Sequence, residues 1–150
     1  MSLYKGHLLG GVFAFMIYLA ALVLFFSYKP AYETLIWFGL CILGSIWPDI
    51  DTSSMAQKLF YGFFLLLDGI FLLAGEYKKA AILGFFALLP IIGKHRGWTH
   101  SLSAAFIIPS PLIILPIIRP DLNAGGFEYY TPVVIGYLSH LILDKEFKLY

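Results

Sequence analysis

The chain has 150 residues, 60% apolar and only 13% charged, with a net charge of +1 at neutral pH. Soluble domains carry about 25% charged residues, so the composition excludes an ordinary soluble fold. Near-neutrality also removes the electrostatic basis for binding nucleic acid. The single cysteine, Cys41, lies inside an apolar run, which excludes a disulfide framework.

The length fits one integral-membrane domain over residues 1–150. Its apolar runs predict an all-α fold. They suggest a polytopic transmembrane helical bundle of about six membrane-embedded helices, some short or kinked.

The first run, His7 to Phe26, is long enough to span at ~1.5 Å per residue. No small-residue cleavage site follows it, so it reads as a retained span and not as a signal peptide. After a turn at Ser27 to Pro30, the second run covers Tyr32 to Trp47 and is short for a full span. Pro48 is expected to close it, because proline lacks the amide hydrogen that a helix interior needs. A polar loop from Asp49 to Ser54 follows.

The third run, Leu59 to Gly75, contains Asp68. An intramembrane carboxylate is a functional candidate by default, although its depth favours a packing role over ligation at a membrane face. Glu76 to Lys79 form a polar turn, and the short fourth run covers Ala80 to Ile92, with Pro90 near its end. A polar island follows, His95-Arg96-Gly97-Trp98-Thr99-His100-Ser101. Thr99 or Ser101 can cap the next helix by accepting an orphan backbone amide. The fifth run, Leu102 to Ile118, holds Pro109, Pro111 and Pro116 and is expected to kink or break. Arg119 to Tyr130 read as the longest loop, and the sixth run, Pro132 to Leu143, carries His140 and ends at Asp144.

Six crossings would put the amino terminus, the 48–58 loop, the 93–101 loop and the carboxyl end on one side. All four histidines, together with Asp49, Asp51 and Asp144, then share that side, while the opposite loops contain no histidine. The same side carries Lys5, Lys58, Lys94, Arg96, Lys145 and Lys148, against Lys29, Lys78, Lys79 and Arg119 opposite. The positive-inside bias makes it cytoplasmic.

The residue types on that side suit a metal. His140 and Asp144, four apart, stack on one helix face; the alternative is a plain interfacial hydrogen bond. Asp49 and Asp51 repel each other unless a cation or proton lies between them; the alternative is a solvated loop or helix cap. His95 and His100 can converge through the turn that Gly97 allows. Arg96 offers a fork of donors suited to phosphate or carboxylate, and Trp98 suits an interfacial anchor. His7 opens the first run and is as easily an interfacial histidine as a ligand. The expected metal ligands are His7, Asp49, Asp51, His100, His140 and Asp144, and the expected catalytic groups are Asp51, His95 and Arg96.

Imidazole and carboxylate together favour a divalent transition metal, zinc first, with manganese or iron as alternatives. The number of candidate ligands suits two ions bridged by a carboxylate. Such a site lowers the pKa of a bound water and holds the attacking and leaving oxygens of a phosphoester.

Four segments carry a family resemblance: Gly6-His7; Trp47-Pro48-Asp49-Ile50-Asp51; the island from His95 to Ser101; and Gly136-Tyr137-Leu138-Ser139-His140-Leu141-Ile142-Leu143-Asp144. Together they resemble the YdjM-like membrane-bound, predicted metal-dependent hydrolases, over nearly the whole chain. The resemblance implies a multi-pass inner-membrane protein with hydrolase activity. The chain ends shortly after Asp144, where many relatives continue. A remoter likeness to zinc phospholipases is analogy alone.

The leading expectation is a membrane-embedded metal-dependent hydrolase of a phosphoester, with the bilayer as partner and a phospholipid as one candidate substrate. The alternative is a non-catalytic membrane subunit, within an oligomer or larger membrane complex, whose metal site or polar cluster is structural. A transporter using Asp68 ranks third, since a path needs further polar residues at depth.

Overall fold

The computed structural model describes residues 4–51, 55–92, 98–118, 120 and 126–145. The fold is all-helical, as its apolar runs dictate. In chain order the helices are α1 (Tyr4–Phe26), α2 (Glu33–Ile46), α3 (Met55–Leu73), α4 (Tyr77–Ile92), α5 (Leu102–Ile107), α6 (Pro111–Ile118) and α7 (Phe127–Asp144). Short 3-10 turns at Trp47–Asp51 and Trp98–His100 lie between them.

Three helix boundaries follow from local chemistry. Pro48 ends α2 as expected, at Ile46, but the chain then tightens into the 3-10 turn Trp47–Asp51, so Asp49 sits on ordered backbone and not in a loop. The fifth run breaks as expected into α5 and α6 around Pro109 and Ser110, and Ser101, one of the two expected caps, accepts the Ala104 amide at 3.1 Å. The sixth helix begins at Phe127, not Pro132. Phe127 to Tyr130, read as loop, form its first turn, and just beyond it the Tyr18 hydroxyl bonds the Thr131 hydroxyl at 3.0 Å.

Among the described residues, two helical stretches are long and apolar enough to cross a membrane, Lys5–Phe26 and Glu33–Ile50. Phe60–Leu73 and Leu102–Ile118 are shorter apolar stretches. Large apolar side chains such as Leu24, Phe25, Leu65 and Leu73 stand exposed, as lipid-facing residues do.

Helices α1, α2 and α7 pack on one another as a central unit, while α3 and α4 pair as a hairpin. The hairpin meets the central unit at the first 3-10 turn, where Trp47 stands edge-on to Phe60 with ring centroids 5.1 Å apart. Small residues set the central spacing. A Cβ on Gly136 would run into the Cys41 carbonyl of α2, and one on Gly44 would run into the Val133 carbonyl of α7. Gly11 likewise faces Ser45, and Gly10 faces Leu143. In lipid, where hydrophobic exclusion of water no longer drives helices together, such close backbone approach supplies the packing. Phe15, Trp37 and Cys41 fill the core on one side of this unit. Ala104, Ala105, Tyr137 and Leu141 fill it where α5 lies on α7.

This geometry predicts the effect of one methyl group. Gly136→Ala should cost roughly 1–3 kcal/mol, the usual penalty for overpacking, because the atom it meets is backbone. Gly39→Ala, where a Cβ meets nothing within 4 Å, should be neutral. Thermal unfolding of both variants in detergent checks this, and equal melting temperatures would refute the close contact.

Candidate metal centre

Four segments deliver side chains to one end of the bundle. His7 lies in the first turn of α1 and Asp49 on the 3-10 turn after α2. His100 closes the second 3-10 turn, and His140 and Asp144 occupy the last turns of α7. Lys145 then adopts a left-handed conformation (φ 55°) and ends α7 immediately after Asp144.

The glycines beneath His7 explain how it gets there. Gly10 and Gly11 lie three and four residues after it, on its own helix face, so α1 settles close against α2 and α7. The His7 ring then stacks on His140 with centroids 3.8 Å apart. The His100 ring stands edge-on to His140 at 5.4 Å.

Two carboxylates complete the cluster. The His7 Nε2 lies 3.4 Å from an Asp144 oxygen and 3.7 Å from an Asp49 oxygen. The His140 Nε2 lies 3.4 Å from Asp144 and 3.8 Å from Asp49. His100 Nε2 approaches the same Asp49 oxygen at 3.9 Å. One donor atom from each of His7, Asp49, His140 and Asp144 falls within 4.8 Å of all the others, and this group could hold a metal ion. These separations exceed hydrogen-bond lengths of about 2.7–3.2 Å. Ligand bonds of about 2.0–2.1 Å in a tetrahedron put neighbouring donor atoms roughly 3.3–3.4 Å apart, which is the spacing of the shorter pairs. Both imidazoles are buried, while Asp49 and Asp144 are 20% and 22% exposed, so the cluster reaches solvent through its carboxylates.

Hydrogen bonds orient the rings. The His140 Nδ1 lies 2.7 Å from the Ser45 carbonyl oxygen. A carbonyl only accepts, so Nδ1 carries the proton. The Nε2 edge of the ring then faces the carboxylates. That buried atom has no hydrogen-bond partner among the described residues, and neither does His7 Nδ1. A ring nitrogen donating to a backbone carbonyl while the other stays free is the usual arrangement of a metal-ligating histidine. A second bond holds the island in place: the buried Tyr137 hydroxyl donates to the Thr99 carbonyl, tying the turn that bears His100 to α7.

Of the residues expected from sequence, the structure thus brings together His7, Asp49, His100, His140 and Asp144. The Asp51 side chain, His95 and Arg96 lie outside the described residues. Trp98 is exposed, as an interfacial anchor would be. Ser45 and Tyr137 were missed. Ser45 acts through its carbonyl, which leaves no mark in a sequence, and Tyr137 resembles any aromatic residue on an apolar helix.

Fold and site together define an all-helical protein with a buried histidine–aspartate cluster suited to a divalent cation. The chain belongs to the YdjM inner membrane protein family, whose model matches residues 1–145, and it is accordingly an inner membrane protein. No curated protein and no solved structure matches it.

The Tyr137 bond predicts a measurable cost. Tyr137→Phe removes this buried hydrogen bond to the Thr99 carbonyl and should lower stability by about 0.5–1.5 kcal/mol. Unfolding of the variant in detergent measures it, and wild-type melting would show that the hydroxyl bears no load.

Proposed function

We propose that the cluster binds a divalent transition ion, zinc first with manganese or iron as alternatives, and that the protein is a metal-dependent hydrolase. Its substrate is a phosphoester presented at the cytoplasmic membrane interface, a phospholipid headgroup being one source. The single observation that carries this reading is the unpartnered Nε2 of His140, its ring fixed by Ser45 and its Nε2 edge turned toward two carboxylates. A second proton on that ring would also satisfy it. His7 argues against that solution, because its own Nε2 faces the same carboxylates and two imidazolium rings stacked at 3.8 Å would repel. One cation serves both rings.

His7, His140, Asp144 and Asp49 would form the ligand set. Asp49 also approaches His100 through the oxygen it turns toward His140, so His100 would serve as a further ligand on the Asp49 side of the same site. When bound, the metal would act as a Lewis acid toward a phosphoryl oxygen and toward water. Asp51, His95 and Arg96 are assigned by their chemistry to proton transfer and phosphate contact. The reading includes a multi-pass topology in which residues 1–7, 48–58, 93–101 and 144–150 share the cytoplasmic side.

A structural role is the second reading, because four protein donors suffice to close a tetrahedral shell. Metal analysis and turnover of bis(p-nitrophenyl) phosphate by the purified protein separate the two. The wild type should hold stoichiometric metal and hydrolyse the ester. His140→Ala and His100→Ala should lose metal and melt earlier together. An ion present at 100 times its Kd contributes about 2.7 kcal/mol, and a chelator should remove the same amount. His95→Ala should keep the metal and lose turnover. Metal without turnover in the wild type would install the structural reading; full metal and unchanged melting in both histidine variants would end the metal reading altogether.

Topology has its own check. In a Cys41→Ala background, single cysteines replacing Glu76 and Trp98 should label from opposite faces of the membrane. Labelling of both from one face would contradict the shared side.

A further inference from the structure

Between α3 and α4, apart from the histidine–aspartate cluster, lies a cavity of about 240 Å³. Phe64 and Leu65 wall it on α3, and Gly84 and Ala87 leave it open on α4. Two polar side chains also line it, Tyr61 and Asp68. The Tyr61 hydroxyl and one Asp68 carboxyl oxygen are buried with no hydrogen-bond partner among the described residues. Seven residues separate the two, so they lie on one face of the helix. Asp68 stands about 20 Å along α3 from Met55 and roughly 7 Å from the far end at Leu73, well away from the turn that bears Asp49.

Unpaired polar atoms inside hydrocarbon are costly, and intramembrane carboxyls usually mark a site. Neither atom serves the hydrolase reading. The walls choose the occupant. A wholly apolar filler would leave both atoms unpaired, and a hydrated ion would find only two polar groups. A phenol donates and accepts, and a carboxyl oxygen accepts. A hydroxyl can answer both, and a hydrocarbon chain suits the rest of the lining. At about 30 Å³ per small group, the cavity takes roughly eight, with the remaining chain passing into the bilayer.

We propose that the α3–α4 cavity binds a hydroxyl-bearing membrane amphiphile, a long-chain alcohol or a lipid of that class, with its oxygen between Tyr61 and Asp68. The site is independent of the metal centre. A Cβ on Gly84 meets nothing within 4 Å, so a larger side chain there fills the cavity without displacing a helix.

The test uses the full chain in lipid nanodiscs with a diazirine-bearing hexadecanol as probe, photolysis, and mapping of the adducts by mass spectrometry. Labelling should saturate, concentrate at Tyr61, Asp68 and the Leu83–Ala87 turn, and fall when unlabelled decanol is added but not when decane is. Tyr61→Phe should raise the probe concentration for half-saturation roughly three- to tenfold, the effect of one hydrogen bond. Gly84→Leu should abolish cavity labelling. Asp68→Asn should leave bound metal and phosphoesterase activity as in the wild type. Non-saturable labelling spread over exposed faces of α1 and α3, equal competition by decane, or unchanged labelling in Gly84→Leu would overturn the site. So would a cysteine at Gly84 that cross-links two copies in the membrane, since a second chain would then occupy the cavity.

Discussion

The contact on which the rest depends is the backbone crossing of α2 and α7. Gly136 brings α7 against the Cys41 carbonyl, and Gly44 brings α2 against Val133. This closeness places the Ser45 carbonyl within hydrogen-bond reach of the His140 ring one turn beyond Gly136. Side chains of ordinary size at either glycine would part the helices, and the ring would lose the bond that sets its tautomer. Gly10 and Gly11 do the same for α1, which is how His7 comes to stack on His140. A layer of small residues therefore underlies the cluster, and the reach of the imidazoles follows from it.

The two parts of the molecule differ in how they satisfy polar groups. In the central unit the buried hydroxyls of Tyr137, Ser45 and Ser139 bond backbone carbonyls. Among the described residues of this unit, the polar atoms left over are imidazole nitrogens of His7 and His140 at the cluster and the Trp37 indole nitrogen. In the α3–α4 hairpin, Tyr61 and Asp68 are left over in an apolar cavity. The first pattern suits a cation, and the second suits a neutral amphiphile. The hairpin's attachment through Trp47 and Phe60 lets the two sites sit on one chain without sharing a residue.

Much of this was legible in the sequence, for identifiable reasons. The four-residue spacing of His140 and Asp144 holds on any helix, and counting apolar runs picks out His7, Asp49 and His100, which the structure brings to one end of the bundle. The break near Pro109 follows from the missing amide of proline. Other features were not legible. Pro48 does end α2, but the 3-10 turn that follows and aims Asp49 carries no sequence signature. The first turn of α7, Phe127 to Tyr130, reads as loop because Glu128 and two tyrosines interrupt the apolar pattern, although Thr131 just beyond it pairs across the helices with Tyr18. The ring-orienting carbonyl of Ser45 has no sequence signature.

On the proposed reading, two imidazoles and two carboxylates of this cluster surround one divalent ion. X-ray absorption at the zinc edge of the zinc-loaded protein tests it most directly. The spectrum should show a shell of nitrogen and oxygen at about 2.0–2.1 Å, imidazole scattering from at least two rings, and no sulfur. In His140→Ala the imidazole signal should weaken by one ring. A spectrum of hydrated zinc, or one unchanged by loss of His140, would contradict the metal centre.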